Sequence, residues 1–184
     1  MKWVIGSDLH GSAKYTEQFF QACDREGSGK ILLLGDLLYH GPRNDLPEAY
    51  EPKKVIGMLN ERKDRILCVR GNCDTEVDQM VLAFPIMADY AYIDAEGVRL
   101  FATHGHHFNT QTPPPLGPGE ILLHGHTHVP AWERRDGYIY MNPGSVSIPK
   151  AGSPRGYMTL ERGRFRWKTL EGNVYHEEDM TERN

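Results

Sequence analysis

Five apolar runs in this chain each stop on a short polar turn, and the turn always combines glycine with aspartate, asparagine or histidine. Residues 3–5 run into Gly6-Ser7-Asp8-Leu9-His10-Gly11, residues 31–34 into Gly35-Asp36, and residues 65–69 into Gly71-Asn72-Cys73-Asp74. Residues 98–103 run into His104-Gly105-His106-His107, and residues 121–123 into His124-Gly125-His126-Thr127-His128. Apolar runs without alternation belong to strands covered on both faces, as in parallel sheets. The carboxyl ends of such strands are where ligand sites gather in open α/β sheets. The recurrence predicts a layered α/β fold in which polar tips from distant segments meet along one edge.

The intervening segments supply the layers. Ser12 is placed to cap a helix to about Glu26, with Tyr15, Phe19, Phe20 and Cys23 on its buried face and Gly27-Ser28-Gly29 ending it. Residues 37–52 hold three prolines and no period, which predicts a long loop of the functional kind. A second helix is expected over residues 52–62, with Val55, Ile56 and Leu59 inward, and a short one over 76–84. Residues 86–93 and 98–103 read as a strand pair joined by Ala95-Glu96-Gly97. After Pro130 the pattern is that of an antiparallel meander, with strands at 131–134, 138–141, 157–160 and 165–170. From Glu171 a polar, frayed tail is expected. No repeat or linker divides residues 1–184, so a single domain is the expectation.

Bulk properties narrow the function. The formal net charge of −4 offers no basic footprint, so extended nucleic-acid binding by counterion release is not expected. Three cysteines, Cys23, Cys68 and Cys73, form no disulfide framework and fit a reducing compartment, hence a cytoplasmic location. The short apolar stretch before Asp8 reads as neither signal peptide nor membrane span.

Seven turn residues carry metal-ligating side chains: Asp8, His10, Asp36, Asn72, His104, His126 and His128. His126 and His128 stand two apart after Gly125, a spacing that aims both imidazoles at one neighbourhood. The set is too large for one tetrahedral ion and suits two. Oxygen and imidazole donors without thiolate are compatible with Mn²⁺, Zn²⁺, Fe, Ni²⁺ or Mg²⁺. Two such ions about 4 Å apart can hold phosphoryl oxygens, acidify an attacking water and offset charge in an in-line displacement.

The ordered set Asp8-x-His10, Gly35-Asp36, Gly71-Asn72, Thr103-His104-Gly105-His106 and Gly125-His126-Thr127-His128 resembles the calcineurin-like metallophosphoesterase family. With Cys73 and the stretches Tyr39-His40-Gly41-Pro42-Arg43-Asn44 and Asn142-Pro143-Gly144-Ser145, the chain is similar to small bacterial phosphodiesterases of that family over nearly its whole length. The resemblance implies a four-layer αββα sandwich of two mixed β-sheets. It implies a binuclear centre in which Asp8, His10 and His128 hold one ion, Asn72, His104 and His126 hold the other, and Asp36 bridges them. Manganese is the metal it favours, and a homo-oligomer is compatible with it. The activity implied is hydrolysis of small or nucleotide-like phosphodiesters. The runner-up is a phosphomonoesterase or nuclease of the same family, and the rival from another class is a catalytically silent protein-binding scaffold.

One position departs from the family. Most members carry histidine after the asparagine of the Gly-Asn motif, where it helps protonate the leaving group, and here the residue is Cys73. General acid assistance is typically worth about 10²–10⁴ in rate, so a thiol there suits substrates with acidic leaving groups. The expected catalytic set is Asp36, Asn72, Cys73 and Asp74, with Cys73 either taking part or packing, and Asp74 either orienting neighbours or capping the next helix. Arg43, able to grip phosphate bidentately, is expected with Asn44, His40 and His106 to contact substrate, and Asn142 to border the pocket. His107, His124 and His176 are expected outside the ligand set.

Overall fold

The computed structural model describes residues 1–181. In chain order its first strands and helices are β1 (Trp3–Gly6), α1 (Ala13–Arg25), β2 (Lys30–Leu33), α2 (Pro52–Asn60), β3 (Ile66–Cys68) and α3 (Glu76–Val81). They are followed by β4 (Tyr90–Ala95), β5 (Val98–Thr103), β6 (Glu120–Leu123), β7 (Ala131–Arg135) and β8 (Tyr138–Asn142). The last strands are β9 (Gly156–Glu161), β10 (Arg164–Thr169) and β11 (Val174–Asp179). Two sheets result, ordered β11-β10-β9-β1-β2-β3 and β4-β5-β6-β8-β7. Both are mixed: β1, β2 and β3 run parallel in the first, and β5, β6 and β8 run parallel in the second.

The unbroken apolar runs have a direct structural cause. Side chains alternate across a strand, so Val4, Ile31 and Leu33 join α1 residues Phe19 and Phe20 in one core, while Ile5, Leu32 and Leu34 join Leu100, Ile121 and Leu123 in another. The first core lies under α1 and α2, and the second fills the space between the sheets. Each fully buried Leu or Ile contributes about 1.5–3 kcal/mol, so a strand covered on both faces has no position free for a polar residue until it leaves the sheet. The outer face of the second sheet is covered differently. Phe101, Leu122 and Tyr140 pack there beneath Phe108 and Leu116 of the 104–119 loop, and no helix residue belongs to that cluster among the described residues. The two mixed sheets and the helical layer over the first match the expected sandwich; a loop provides the cover over the second.

Three local expectations are corrected. Residues 86–89 do not extend β4, because Ile86 is anchored in the helix-side core and its N–H donates to Gln79 Oε1 at 2.8 Å. The segment after Pro130 is not one meander: β7 and β8 form a hairpin in the second sheet, where β8 pairs parallel with β6, and β9 crosses to the first sheet. Residues 182–184 of the expected frayed tail lie outside the described residues, and the described part of the tail is not frayed. It forms edge strand β11, whose register sets Asp179 opposite Arg164 and Glu177 opposite Arg166 and stacks His176 on Trp132 with 3.8 Å between ring centroids. Cross-strand charge pairs substitute for the missing apolar pattern. Among the described residues no helix is long and apolar enough to cross a membrane.

Candidate metal centre

The parallel strands of both sheets deliver their exit turns to a common edge, and the backbone there is forced. Asp8 (φ 60°), His10 (φ 46°), Asp36 (φ 56°), His126 (φ 64°) and His128 (φ 60°) all adopt the left-handed region. That conformation costs a residue with a Cβ of order 1 kcal/mol or more. Hydrogen bonds between turns hold it: the Asp8 N–H donates to Gly35 O at 3.1 Å, the His10 N–H to Asp36 O at 2.9 Å, and the His126 N–H to Asp8 Oδ2 at 3.1 Å. Strained backbone at five of the seven expected ligands marks the edge as a built site.

The imidazoles are oriented by carbonyls behind them. The Nδ1 atoms of His10, His104 and His128 lie 2.7, 2.6 and 2.6 Å from the carbonyl oxygens of Tyr39, Leu34 and Ile148. Donation to those carbonyls places a proton on Nδ1 and turns Nε2 inward, the atom free to bind a cation once it has no proton. His10 Nε2 then lies 3.3 Å from His128 Nε2, with Asp8 Oδ1 at 3.6 and 3.3 Å from the two. On the other side His104 Nε2 lies 3.0 Å from Asn72 Oδ1 and 3.1 Å from His126 Nδ1. Asp36 Oδ2 reaches both nests, at 3.6 Å from His10 Nε2 and 3.4 Å from His104 Nε2.

Glycine is required where these carboxylates approach backbone. A Cβ on Gly71 would stand 2.1 Å from Asp36 Oδ1, and one on Gly125 would stand 1.9 Å from Ser7 Oγ and 2.7 Å from Asp8 Oδ2. Asp74, expected in the catalytic set to orient neighbours or to cap the next helix, holds neighbouring backbone. Its buried carboxylate accepts from the backbone N–H groups of Asp36, Leu37 and Gly71 at 2.8, 2.9 and 2.8 Å, so it ties the β2 exit to the β3 exit. The cap of α3 is Thr75, which forms a capping box with Asp78.

The donor set fits divalent cations. Asp8 Oδ1 is buried without a hydrogen-bond partner, and the Nε2 atoms of His10 and His128 face each other beside it, an arrangement a cation would satisfy. Burial pushes the Asp8 carboxyl up, but His10 and His128 outweigh it and hold it well below the usual range. Asp36 is likewise lowered, burial being outweighed by His104. Burial lowers His104, yet Asp36 and Asp8 raise it to about 9, a measure of how strongly the carboxylates demand positive charge. The atoms of Asp8, His10 and His128 lie close enough together to hold one ion, as do those of Asp8, Asp36 and His104. A profile of the Calcineurin-like phosphoesterase superfamily domain matches residues 1–163.

The chain belongs to the calcineurin-like phosphoesterase superfamily. Within that superfamily it is 48% identical over 161 residues to phosphodiesterase YfcE of Escherichia coli strain K12, covering 88% of each chain. The solved structure of the E. coli phosphoesterase YfcE superposes with a TM-score of 0.94 at 43% identity, over 98% of this chain and 100% of that one. Vacuolar protein sorting 29 from Cryptosporidium parvum, at 18% identity, TM-score 0.60 and 97% of both chains, shares the fold.

Around this superfamily centre the expected contact residues separate. Asp36, Asn72, His126 and His128 line a cavity of about 460 Å³. Arg43, Asn44 and Cys73 line it too, as does Lys150, which carries no signal in the sequence. His40 and His106 are not among its lining residues: His40 packs against Tyr39 and Tyr50, and His106 lies against His107 and the outer side of His104. Burial, then His104, lowers His106 to about 4, so it stays neutral. Asn142 is fully buried and braces the histidine turn, its Nδ2 reaching Gly125 O at 2.9 Å and Thr127 Oγ1 at 3.0 Å. Ser145 and Ser147 donate to Asp8 O at 3.0 and 2.9 Å. His124 stacks on Tyr140, away from the ligand nests. The Cys73 thiol is pushed up by burial and by Asp36, and is protonated at neutral pH.

Proposed function

We propose that this chain is a metal-dependent phosphodiesterase acting on small or nucleotide-like phosphodiesters that have acidic leaving groups. The observation that carries the reading is Asp36 Oδ2, set between two nests of imidazole nitrogen and within 3.6 Å of each. The name phosphodiesterase, borne by the E. coli relative at 48% identity, supports it. Asp8, His10 and His128 would hold one cation, Asn72, His104 and His126 the second, with Asp36 touching both. Mn²⁺ is the metal assigned, although the same donors accept Zn²⁺, Fe, Ni²⁺ or Mg²⁺. Bound there, two divalent cations supply Lewis-acid polarisation of phosphoryl oxygens and a more acidic attacking water.

The chain's own residues do the rest. Carbonyls of Tyr39, Leu34 and Ile148 hold three imidazoles in the tautomer that presents Nε2. Asp74 keeps Asp36 in register with Asn72. Arg43 and Asn44 line the cavity wall and contact the substrate. Cys73 remains a neutral, weakly donating thiol, so the leaving group departs with little acid assistance and must itself be a stable anion. The free, buried thiols of Cys23, Cys68 and Cys73 support a reducing, cytoplasmic setting.

Metal-stripped protein reloaded with Mn²⁺ tests the assignment. An aryl phosphodiester should be cleaved at least about tenfold faster than the matching monoester. The reverse order would make the chain a phosphomonoesterase, and cleavage of neither would leave it a scaffold and overturn the reading.

A further inference from the structure

Most basic side chains of the chain are engaged. Among the described residues Arg62, Arg65, Arg70, Arg99, Arg164, Arg166 and Lys168 each sit in an ion pair. Arg43 and Lys150 are exceptions, as are Lys53 and Lys63, which do not line the cavity. Neither Arg43 nor Lys150 has an acidic or hydrogen-bonded side-chain partner among the described residues, and both line the cavity that Asp36 and His128 line. A single unpaired exposed cation is ordinary, but two on one cavity wall focus a positive potential there and point to a ligand that brings the opposite charge.

Their positions are built into the site. Arg43 follows the loop whose Tyr39 carbonyl orients His10, and the Asn44 side chain closes that loop by donating to His40 O at 2.8 Å. Lys150 follows the loop whose Ile148 carbonyl orients His128, and its own N–H donates to His128 O at 3.1 Å. The two loops that hold the Asp8-side imidazoles therefore each lead one unpaired cation to the same cavity. A phosphodiester group carries a single negative charge, and the metal pair with its carboxylates suffices to hold it. Two further cations are surplus for that group alone.

We propose that Lys150, with Arg43, is a specificity-determining residue and that the substrate is a phosphodiester bearing a second anionic group, phosphate or carboxylate, on the arm that lies over the Asp8 side of the centre. The inference rests on the diesterase reading for the position of the phosphoryl group.

Its test is a binding measurement on Mn²⁺-loaded protein, read by calorimetry without turnover. Propylphosphonate, 3-phosphonopropionate and propane-1,3-diphosphonate share a phosphonate head and differ in having a neutral, carboxylate or phosphonate tail. An anionic tail should tighten binding about fivefold or more at low salt, the scale of one or two exposed ion pairs, and the gain should shrink as salt screens it. Lys150→Gln and Arg43→Gln should each bring the ratio of anionic to neutral tail towards one; both side chains are exposed and unbonded, so unchanged thermal melting confirms folding. Comparing the two anionic tails distinguishes carboxylate from phosphate as the natural group. A wild-type ratio of one, or a ratio that survives both substitutions, overturns the proposal. Absence of diester hydrolysis in protein that still shows the tail preference would strike the diesterase reading and the diester identity of the substrate, and would leave standing only the anion site at Lys150 and Arg43.

Discussion

A methyl group at position 71 would collide with the Asp36 carboxylate 2.1 Å away and with the Asp36 backbone nitrogen at 2.3 Å, so the Gly-Asn motif begins with glycine for want of room. Gly71→Ala is expected to move Asp36 and lower kcat/KM by about 10²-fold or more, the scale of an ångström's misplacement. Gly57→Ala is the control: nothing lies within 4 Å of its Cβ in α2, and it should raise stability by about 0.4–1 kcal/mol in denaturant titration. Asp36→Asn keeps an acceptor for the Cys73 N–H, now 2.8 Å from Oδ1, but loses the anionic oxygen between the nests. That variant should fold and show no turnover; wild-type rates with bound metal would refute the bridging role. Cys73→Ala should leave hydrolysis of aryl diesters within a few-fold of wild type, because a neutral thiol contributes little acid catalysis.

At the scale of elements, the helix layer and the first sheet are stapled by one carboxylate. Glu26, at the end of α1, lies within hydrogen-bond reach of Lys2 before β1, Tyr157 on β9 and Lys168 on β10. Burial pushes its carboxyl up, but Lys168, Tyr157 and Lys2 outweigh burial and lower it below the ordinary value. A depressed folded pKa stabilises the native state fully above the unfolded value of about 4.3 and loses that contribution as pH falls through the folded value. Glu26→Gln should thus cost about 1–2 kcal/mol at pH 7. Urea titrations at pH 7 and about pH 3 should show the deficit closing in acid; an equal deficit at both would mean packing rather than charge. Element boundaries were legible wherever a run was apolar on both faces, as at β1, β2, β5 and β6. Edge strand β11 was not, because its stability lies in partners on β10 and in the Trp132 ring, which no local pattern records.

For the whole molecule, the centre is a store of strain and buried charge that a cation should relieve. A ligand that binds only the native state stabilises it by about 2.7 kcal/mol at a hundredfold excess over Kd. Mn²⁺ should therefore raise the melting temperature by several degrees, chelator should reverse the rise, and Asp8→Ala should abolish it. A melting curve indifferent to Mn²⁺ in the unsubstituted protein would contradict a metal centre. What the sequence determined by itself was the layered α/β class and the seven ligand candidates, because a strand buried on both faces must hold its polar residues until it exits. The tertiary structure decided at what distances Asp36 stands from the two nests, that the Asp74 carboxylate braces the β2 and β3 turns, and that Ser145, Ser147 and Lys150 gather at a site first declared by Asp8. Those relations join residues up to 139 positions apart, and such distances are set by the pairing of strands within a sheet and by the packing of one sheet against the other.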